Sequence, residues 1–460
     1  MALPWVRVDG DVLRDDAGNV VRLTGFGLGG WMNMENFITG YPGNESTIRR
    51  VMRTTMGPES YEAFFAEFLG GFFTDADAAL LADIGLTSVR IPVNYRHFED
   101  DAAPFVLKEE GFAQLDRVIT ILAQHGLYSI IDLHALPGRQ NEHWHSDNPT
   151  HVAEFWQHRH FQDRVVHLWE ALADRYRDRP EVAGYNPINE PSDRTGEVLP
   201  AFYARLEKAI RAVDPRHILF LDGNKYSSDF SVFKDPLPNA VYTAHDYALP
   251  GIAGDATEYP GIVRGEHFDR SVVEQTFLRR TKFMRDTGTP IWIGEFGPVY
   301  PREDEWRYAL LRDQLDVYAE HGASWALWTY KDIGLQGIVY ARPESAYLTR
   351  IKPVLDTKAY LGVDAWAGRD VNVRGILDPI EALFDREFPE YQPWPWGRKQ
   401  HISLLVRNIL LAEPLAEQYG EALRGVTAEQ ARELAGAFRF ENCTLREPLV
   451  RTLREHLGTA

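Results

Sequence analysis

Two short stretches hold the residues best suited to chemistry: Tyr185-Asn186-Pro187-Ile188-Asn189-Glu190-Pro191 and Ile291-Trp292-Ile293-Gly294-Glu295-Phe296-Gly297. Each is apolar and strand-like, then ends on a glutamate. Burying a carboxylate is costly, so a strand that carries one to its end needs a reason to keep it. Two carboxylates facing each other across one cleft supply that reason. One can attack an acetal carbon while the other lends and recovers a proton.

Such groups must be brought together by the fold. Strand-like and helix-like segments alternate from about residue 20 to 330. Strands are predicted at 21–26, 86–93, 127–134, 182–190, 217–222, 240–247, 290–296 and 323–330. They are nearly continuous in Val, Ile and aromatic residues, the pattern of a parallel sheet covered on both faces. Helices are predicted between them, at 111–125, 161–177, 201–213, 271–286 and 305–321. Gly85, Gly126, Gly288 and Gly322 each stand between a helix and the next strand, where a left-handed C-cap favours glycine. Thr74 and Asp77 have the spacing of a capping box.

Eight strands in this order predict an α/β fold, a (β/α)8 TIM barrel. The competing arrangement is an open doubly wound sheet, but no Gly-rich phosphate fingerprint follows the first strand. Reactive side chains in a barrel gather at the C-terminal ends of the strands. The predicted ends carry Arg90, His134, Asn189, Glu190, His245, Tyr247, Glu295 and Trp328, all polar or aromatic.

With these residues in view, the chain resembles glycoside hydrolase family 5. The matching motifs are Val89-Arg90-Ile91-Pro92, Asp132-Leu133-His134, Asn189-Glu190-Pro191, His245-Asp246-Tyr247, Gly294-Glu295-Phe296-Gly297 and Trp325-Ala326-Leu327-Trp328. The resemblance implies a retaining (β/α)8 glycosidase of the cellulase and exo-β-glucanase kind. It implies Glu190 as general acid/base and Glu295 as nucleophile. Asn189 would bind the sugar 2-hydroxyl, and Arg90 and Tyr247 would hold Glu295 ionised and aimed. His245 would lie near Glu190, His134 near the sugar, and Trp328 would offer an apolar face in the −1 subsite. The carboxyl groups are then expected about 5–5.5 Å apart, with the higher pKa on Glu190. The resemblance implies no cofactor and no metal.

A second likeness lies at Leu28-Gly29-Gly30-Trp31-Met32-Asn33-Met34-Glu35 and Ile38-Thr39. It is similar to the first strand-loop of the family's fungal exo-β-1,3-glucanase branch, which implies that Glu35 contacts hydroxyls of the terminal sugar. The stretch 134–141 is similar to the same branch, with departures at Leu136 and Arg139. Both point to a blocked pocket and exo action.

Each residue also has a plainer reading. Arg90, Glu190 and Glu295 could be members of structural ion pairs. Trp328, Tyr247 and His245 could be core, and Glu35 could anchor its loop. The histidines at 143, 145, 151, 158 and 160 invite a metal, but they lack a ligand pattern such as H-E-x-x-H, so a solvated or sugar-contacting loop is expected there. Trp144, Trp156 and Trp394 could be exposed and stack sugars, or simply pack.

Composition limits the remaining choices. Lys and Arg total 49 and Asp and Glu total 67, for a net charge of −18. So acidic a chain is a poor match to nucleic acid, whose binding rests on neutralising phosphates. No run has the length of a membrane span. The single cysteine, Cys443, rules out an intrachain disulfide. The N-terminus has no basic and apolar signal pattern, so a cytoplasmic location is expected. Asn44-Glu45-Ser46 and Asn442-Cys443-Thr444 match the glycosylation pattern by chance.

The barrel is expected over 1–350, with a C-terminal extension over 351–460. The extension is irregular at 364–400, then helical, with capping boxes at Thr427/Gln430 and Thr444/Glu447. The expected activity is exo-hydrolysis of β-glucosides or related oligosaccharides through a glycosyl-enzyme. The alternatives are a furanoside-cleaving member of the family (arabinofuranosidase or galactofuranosidase), an endo-β-glucanase, and a non-catalytic sugar-binding barrel.

Overall fold

The computed structural model describes residues 3–302, 304–363 and 369–459. Eight parallel strands close into a barrel: β1 (Thr24–Gly27), β2 (Ser88–Asn94), β3 (Tyr128–Ala135), β4 (Val182–Asn186), β5 (Ile218–Asp222), β6 (Ala240–His245), β7 (Ile291–Glu295) and β8 (Ser324–Leu327). Almost every residue in them is buried, which accounts for the unbroken apolar runs. Helices Glu109–Gln124, Arg159–Tyr176, Val198–Val213 and Glu305–Glu320 lie close to their predicted limits. The four joint glycines all take left-handed φ, between 63° and 97°. Thr74 and Asp77 form the capping box of Asp75–Ile84.

Several boundaries differ from expectation. Val20–Val21 belongs to an antiparallel meander with Val6–Asp9 and Val12–Asp15, and the first barrel strand starts after it. Val6 and Leu13 of the meander pack with Ile130, Phe220 and Trp292 inside one end of the barrel. The fourth strand stops at Asn186 rather than 190, because Pro187 cannot donate to the ladder. Segment 271–286 is two helices, Arg270–Arg280 and Lys282–Thr287.

Part of the segment expected to be irregular, 364–368, lies outside the described residues. The rest contains the helix Arg374–Glu387, which carries Pro379 inside it. Helices Arg398–Leu405, Ala412–Ala422, Ala428–Ala435 and Glu447–Leu457 follow. Thr427 and Gln430 do form a capping box. Thr444 does not: it sits in the strand Cys443–Leu445, which pairs with Val339–Ala341, and the last helix is capped by Arg446.

The C-terminal helices pack on the barrel's own helices. Ala428–Ala435 lies on Pro58–Gly71, and Ala412–Ala422 lies on Glu45–Met56. One apolar cluster runs through both parts, joining Phe68 and Phe72 to Phe438 and Leu434. Helix Ala346–Leu361 crosses position 350 without a break. Fully buried Lys331 ties the two parts with polar contacts, donating to Asp77 Oδ1 (2.7 Å) and to the carbonyls of Phe72 and Phe438. Asn44 of the first glycosylation pattern is buried and donates to Asp147.

Candidate functional site

Arg90 is the centre of the barrel mouth. It lies within β2 rather than at its end and is completely buried. Its guanidinium donates to Asn186 Oδ1 (3.0 Å), Glu295 Oε1 (2.5 Å) and Asn189 Oδ1 (2.7 Å), and lies 3.0 Å from Asp132 Oδ2. A planar fork of fixed donors thus fixes groups from three strands and one loop at once.

Glu295 ends β7, next to His245 across a bulge. The extra residue is Gly294, and a Cβ there would come within 2.4 Å of Thr243 Oγ1, so the bulge requires glycine. Arg90 holds one Glu295 oxygen, and Tyr247 OH donates to the other at 2.9 Å. Neither donor gives up its hydrogen-bonding proton near neutrality: the guanidinium stays charged, and burial beside Glu295 raises the Tyr247 hydroxyl well above its usual value.

Glu190 sits on the loop after β4, not on a strand, in a left-handed conformation (φ 47°) that only strong neighbours impose on a side-chain-bearing residue. Its N–H donates to Asp222 Oδ2 (2.9 Å), and its carbonyl accepts from Asn141 Nδ2 (3.0 Å). Its two carboxyl oxygens meet two imidazoles: Oε1 lies 2.7 Å from His245 Nδ1, and Oε2 lies 3.1 Å from His145 Nε2. His245 Nδ1 is also 3.5 Å from Glu295 Oε2. One ligand-type atom from each of Glu190, His245 and Glu295 lies within 4.8 Å of the others. The two carboxyl groups therefore face one gap.

The protonation of Glu190 differs from expectation. Burial pushes its carboxyl up, but hydrogen bonds and charge from His145 and His245 pull it well below the usual range. Asn141 touches both Glu190 and His145. Its Oδ1 accepts from the His143 N–H (3.0 Å), and one Nδ2 hydrogen goes to the Glu190 carbonyl, so the amide cannot be turned over. The other Nδ2 hydrogen faces His145 Nε2 at 2.8 Å. Glu190 Oε2 approaches the same nitrogen at 3.1 Å, while Oε1 lies 2.7 Å from His245 Nδ1. His245 itself is lowered by burial, then raised above its ordinary value by Glu295, Asp222 and Glu190.

The floor of the site is polar. Asn189 Nδ2 is 3.2 Å from His134 Nε2. Burial depresses the His134 imidazole, but Asp132, 2.7 Å from Nδ1, pushes it up to about 10. Trp328, just past β8, stacks parallel to His134 with centroids 5.3 Å apart. A Cβ at Gly27 would strike the Trp328 ring at 2.5 Å, so a bare backbone makes room for the indole. Glu35 is buried, with Oε1 paired to His134 Nε2 at 3.4 Å. Its backbone carbonyl accepts from Ile38 and Thr39 and anchors the loop. A buried carboxylate beside the site can also accept from a sugar hydroxyl.

Every sequence-predicted residue lies at this mouth, and further residues join them. Asp132, Asn186 and Asp222 knit the network from below. Asp222 ends a predicted strand and was open to the same reasoning as Glu295. His145 and Asn141 come from the loop after β3, whose return to Glu190 has no local signature. That loop does not gather its histidines as ligands: among the described residues, the converging ligand atoms belong to Glu190, His245 and Glu295. His143 is half-buried, stacks on His145, and has its imidazole pulled down to about 3 by desolvation and the neighbouring imidazoles. Trp144 and Trp156 are buried and pack, contrary to an exposed role, while Trp394 is half-buried near the mouth.

Comparison with known proteins shows the family. Residues 55–334 match the family model "Cellulase (glycosyl hydrolase family 5)". The chain is 45% identical to the "Beta-xylosidase" of Phanerodontia chrysosporium, over 99% of this chain and 98% of that one. It is 26% identical to "Probable glucan 1,3-beta-glucosidase A" of Neosartorya fischeri, over 70% and 85% of the two chains. The crystal structure of an endogalactoceramidase shares the fold, with TM-score 0.53 and 18% identity over 72% of this chain and 75% of that one. The chain belongs to glycoside hydrolase family 5 and is a glycosidase acting on O-glycosyl bonds.

Proposed function

We propose that the protein is an exo-acting retaining β-glycosidase that removes a β-xylosyl or β-glucosyl unit from short oligosaccharides. The observation that carries the mechanism is the convergence of Glu190 and Glu295 on His245, at 2.7 and 3.5 Å from its Nδ1. Glu295 attacks the anomeric carbon as the carboxyl proton of Glu190 passes to the departing oxygen. The glycosyl ester on Glu295 is then cleaved by a water whose proton returns to Glu190. Asn189 and His134 face the 2-hydroxyl side, and Trp328 takes the apolar face of the ring.

Exo action is favoured by Glu35, a buried carboxylate beside His134 that suits a non-reducing-end hydroxyl. A xylosyl unit is favoured by the near full-length match to a protein named beta-xylosidase. Relatives named endoglucanase are 23% identical and weigh less. The test is a panel of aryl β-xyloside, β-glucoside, β-galactoside and β-mannoside with aryl arabinofuranoside and galactofuranoside, alongside xylo- and gluco-oligosaccharides. The expected result is fastest turnover of the xyloside or glucoside and stepwise release of monosaccharide with retained configuration. Random internal cleavage, or preference for a furanoside, would overturn this reading. Binding across the panel without turnover would indicate a sugar-binding barrel.

A further inference from the structure

The C-terminal extension reaches the barrel mouth on the Glu190 side. Trp394 Nε1 donates to Ser192 Oγ at 2.8 Å, two residues beyond Glu190. The Trp396 ring lies 5.0 Å from the Tyr226 ring. Tyr226 stands edge-on to His145 at 6.2 Å, and His145 touches Glu190. Lys225 Nζ sits 5.8 and 5.6 Å from the two indoles. An indole of the extension thus joins the proton donor's surroundings through Tyr226 and His145.

The loop that meets it is forced into shape. Lys225, Tyr226 and Ser227 all have left-handed φ, between 51° and 58°, which residues with side chains adopt only when their surroundings impose it. Tyr226 N–H donates to the Pro191 carbonyl, Tyr226 OH to Glu142 Oε2, and Ser227 OH to the Thr243 carbonyl. This conformation places Tyr226 between Trp396 and His145. Pro393 and Pro395 stiffen the strap carrying the indoles. Trp396 packs against Tyr226 and is nevertheless 39% exposed.

We propose that the extension builds the leaving-group subsite: Trp396, rimmed by Lys225 and Tyr226, is the platform on which the departing sugar stacks. A pyranose has an apolar face for the indole and a rim of hydroxyls for the ammonium and phenol, so the ligand class is a neutral sugar ring. This deepens the glycosidase reading and rests on it.

The experiment compares two substrates of the same glycone in the full-length protein, a β-linked disaccharide and the β-glycosyl fluoride. Fluoride is too small to reach Trp396. Trp396→Ala is expected to lower kcat/KM about tenfold on the disaccharide and less than about twofold on the fluoride, and Trp396→Phe to restore most of the loss. Equal losses on both substrates would make Trp396 a mere prop for the Glu190 loop and overturn the subsite. So would no loss on either, or a change confined to self-association measured by light scattering. A parent protein that turns over neither substrate would instead overturn the glycosidase reading itself, and the subsite with it.

Discussion

The two carboxyl groups at the barrel mouth are held by different kinds of neighbour. Glu295 is gripped by Arg90 and Tyr247, whose donors do not titrate near neutrality. Glu190 is gripped by two imidazoles, His145 and His245, whose ring nitrogens can donate or accept. The first setting keeps a charge in place and aimed. The second lets a proton arrive and leave, as a group that is acid in one step and base in the next requires. The division of labour lies in the neighbours, since the two side chains are chemically identical.

Removing each carboxylate tests this contrast most strongly. Glu295→Ala should lower kcat by about 10⁴-fold or more, and added azide should restore turnover with an inverted glycosyl azide as product. Retained configuration in that azide would reverse the assigned roles. Glu190→Ala should cost about 10³-fold on poor leaving groups and far less on dinitrophenyl glycosides, which need no proton. Equal losses across leaving groups, in a Brønsted series, would contradict its part as acid.

Arg90→Lys should lower kcat about 10²-fold, because one ammonium cannot reproduce a fork that serves Glu295, Asn189, Asn186 and Asp132 together. Thermal unfolding should show a lowered Tm, since buried Asp132 loses part of its counter-charge. Wild-type kcat in this variant would reduce Arg90 to a simple counter-ion.

His145→Ala is expected to have the smallest effect, about tenfold in kcat/KM. It removes a neighbour that pulls the Glu190 carboxyl down, so the acid form persists to higher pH. The alkaline limb of the kcat/KM profile should therefore move up in pH. Movement downward would mean that His145 supports the acid form instead.

The sequence made the barrel legible because its strands are buried on both faces and its joints are marked by glycine. Glu295 was legible for the same reason: it ends a strand. Glu190 was found as a residue but placed wrongly, since Pro187 stops the strand and the loop carries it onward. Asp222 was within reach at the end of β5 and was passed over. His145 and Asn141 were not within reach, because what gives them meaning is the return of a loop to a glutamate some 45 residues away in the chain. The expected ordering of acidities missed the second imidazole for that reason. Helix Arg374–Glu387 was obscured by Pro379, which reads as a breaker yet is tolerated inside it. The extension's contact with the mouth, through Trp394 and Trp396, depends on tertiary packing that local patterns do not encode.

The most direct test is to trap the covalent intermediate. A 2-deoxy-2-fluoro-β-glycosyl fluoride of the preferred sugar slows both steps but carries a good leaving group, so the ester accumulates. Mass spectrometry of the intact protein and its peptides should show one sugar equivalent attached to Glu295. A label on another residue, or inverted product from a protein that resists labelling, would contradict the account.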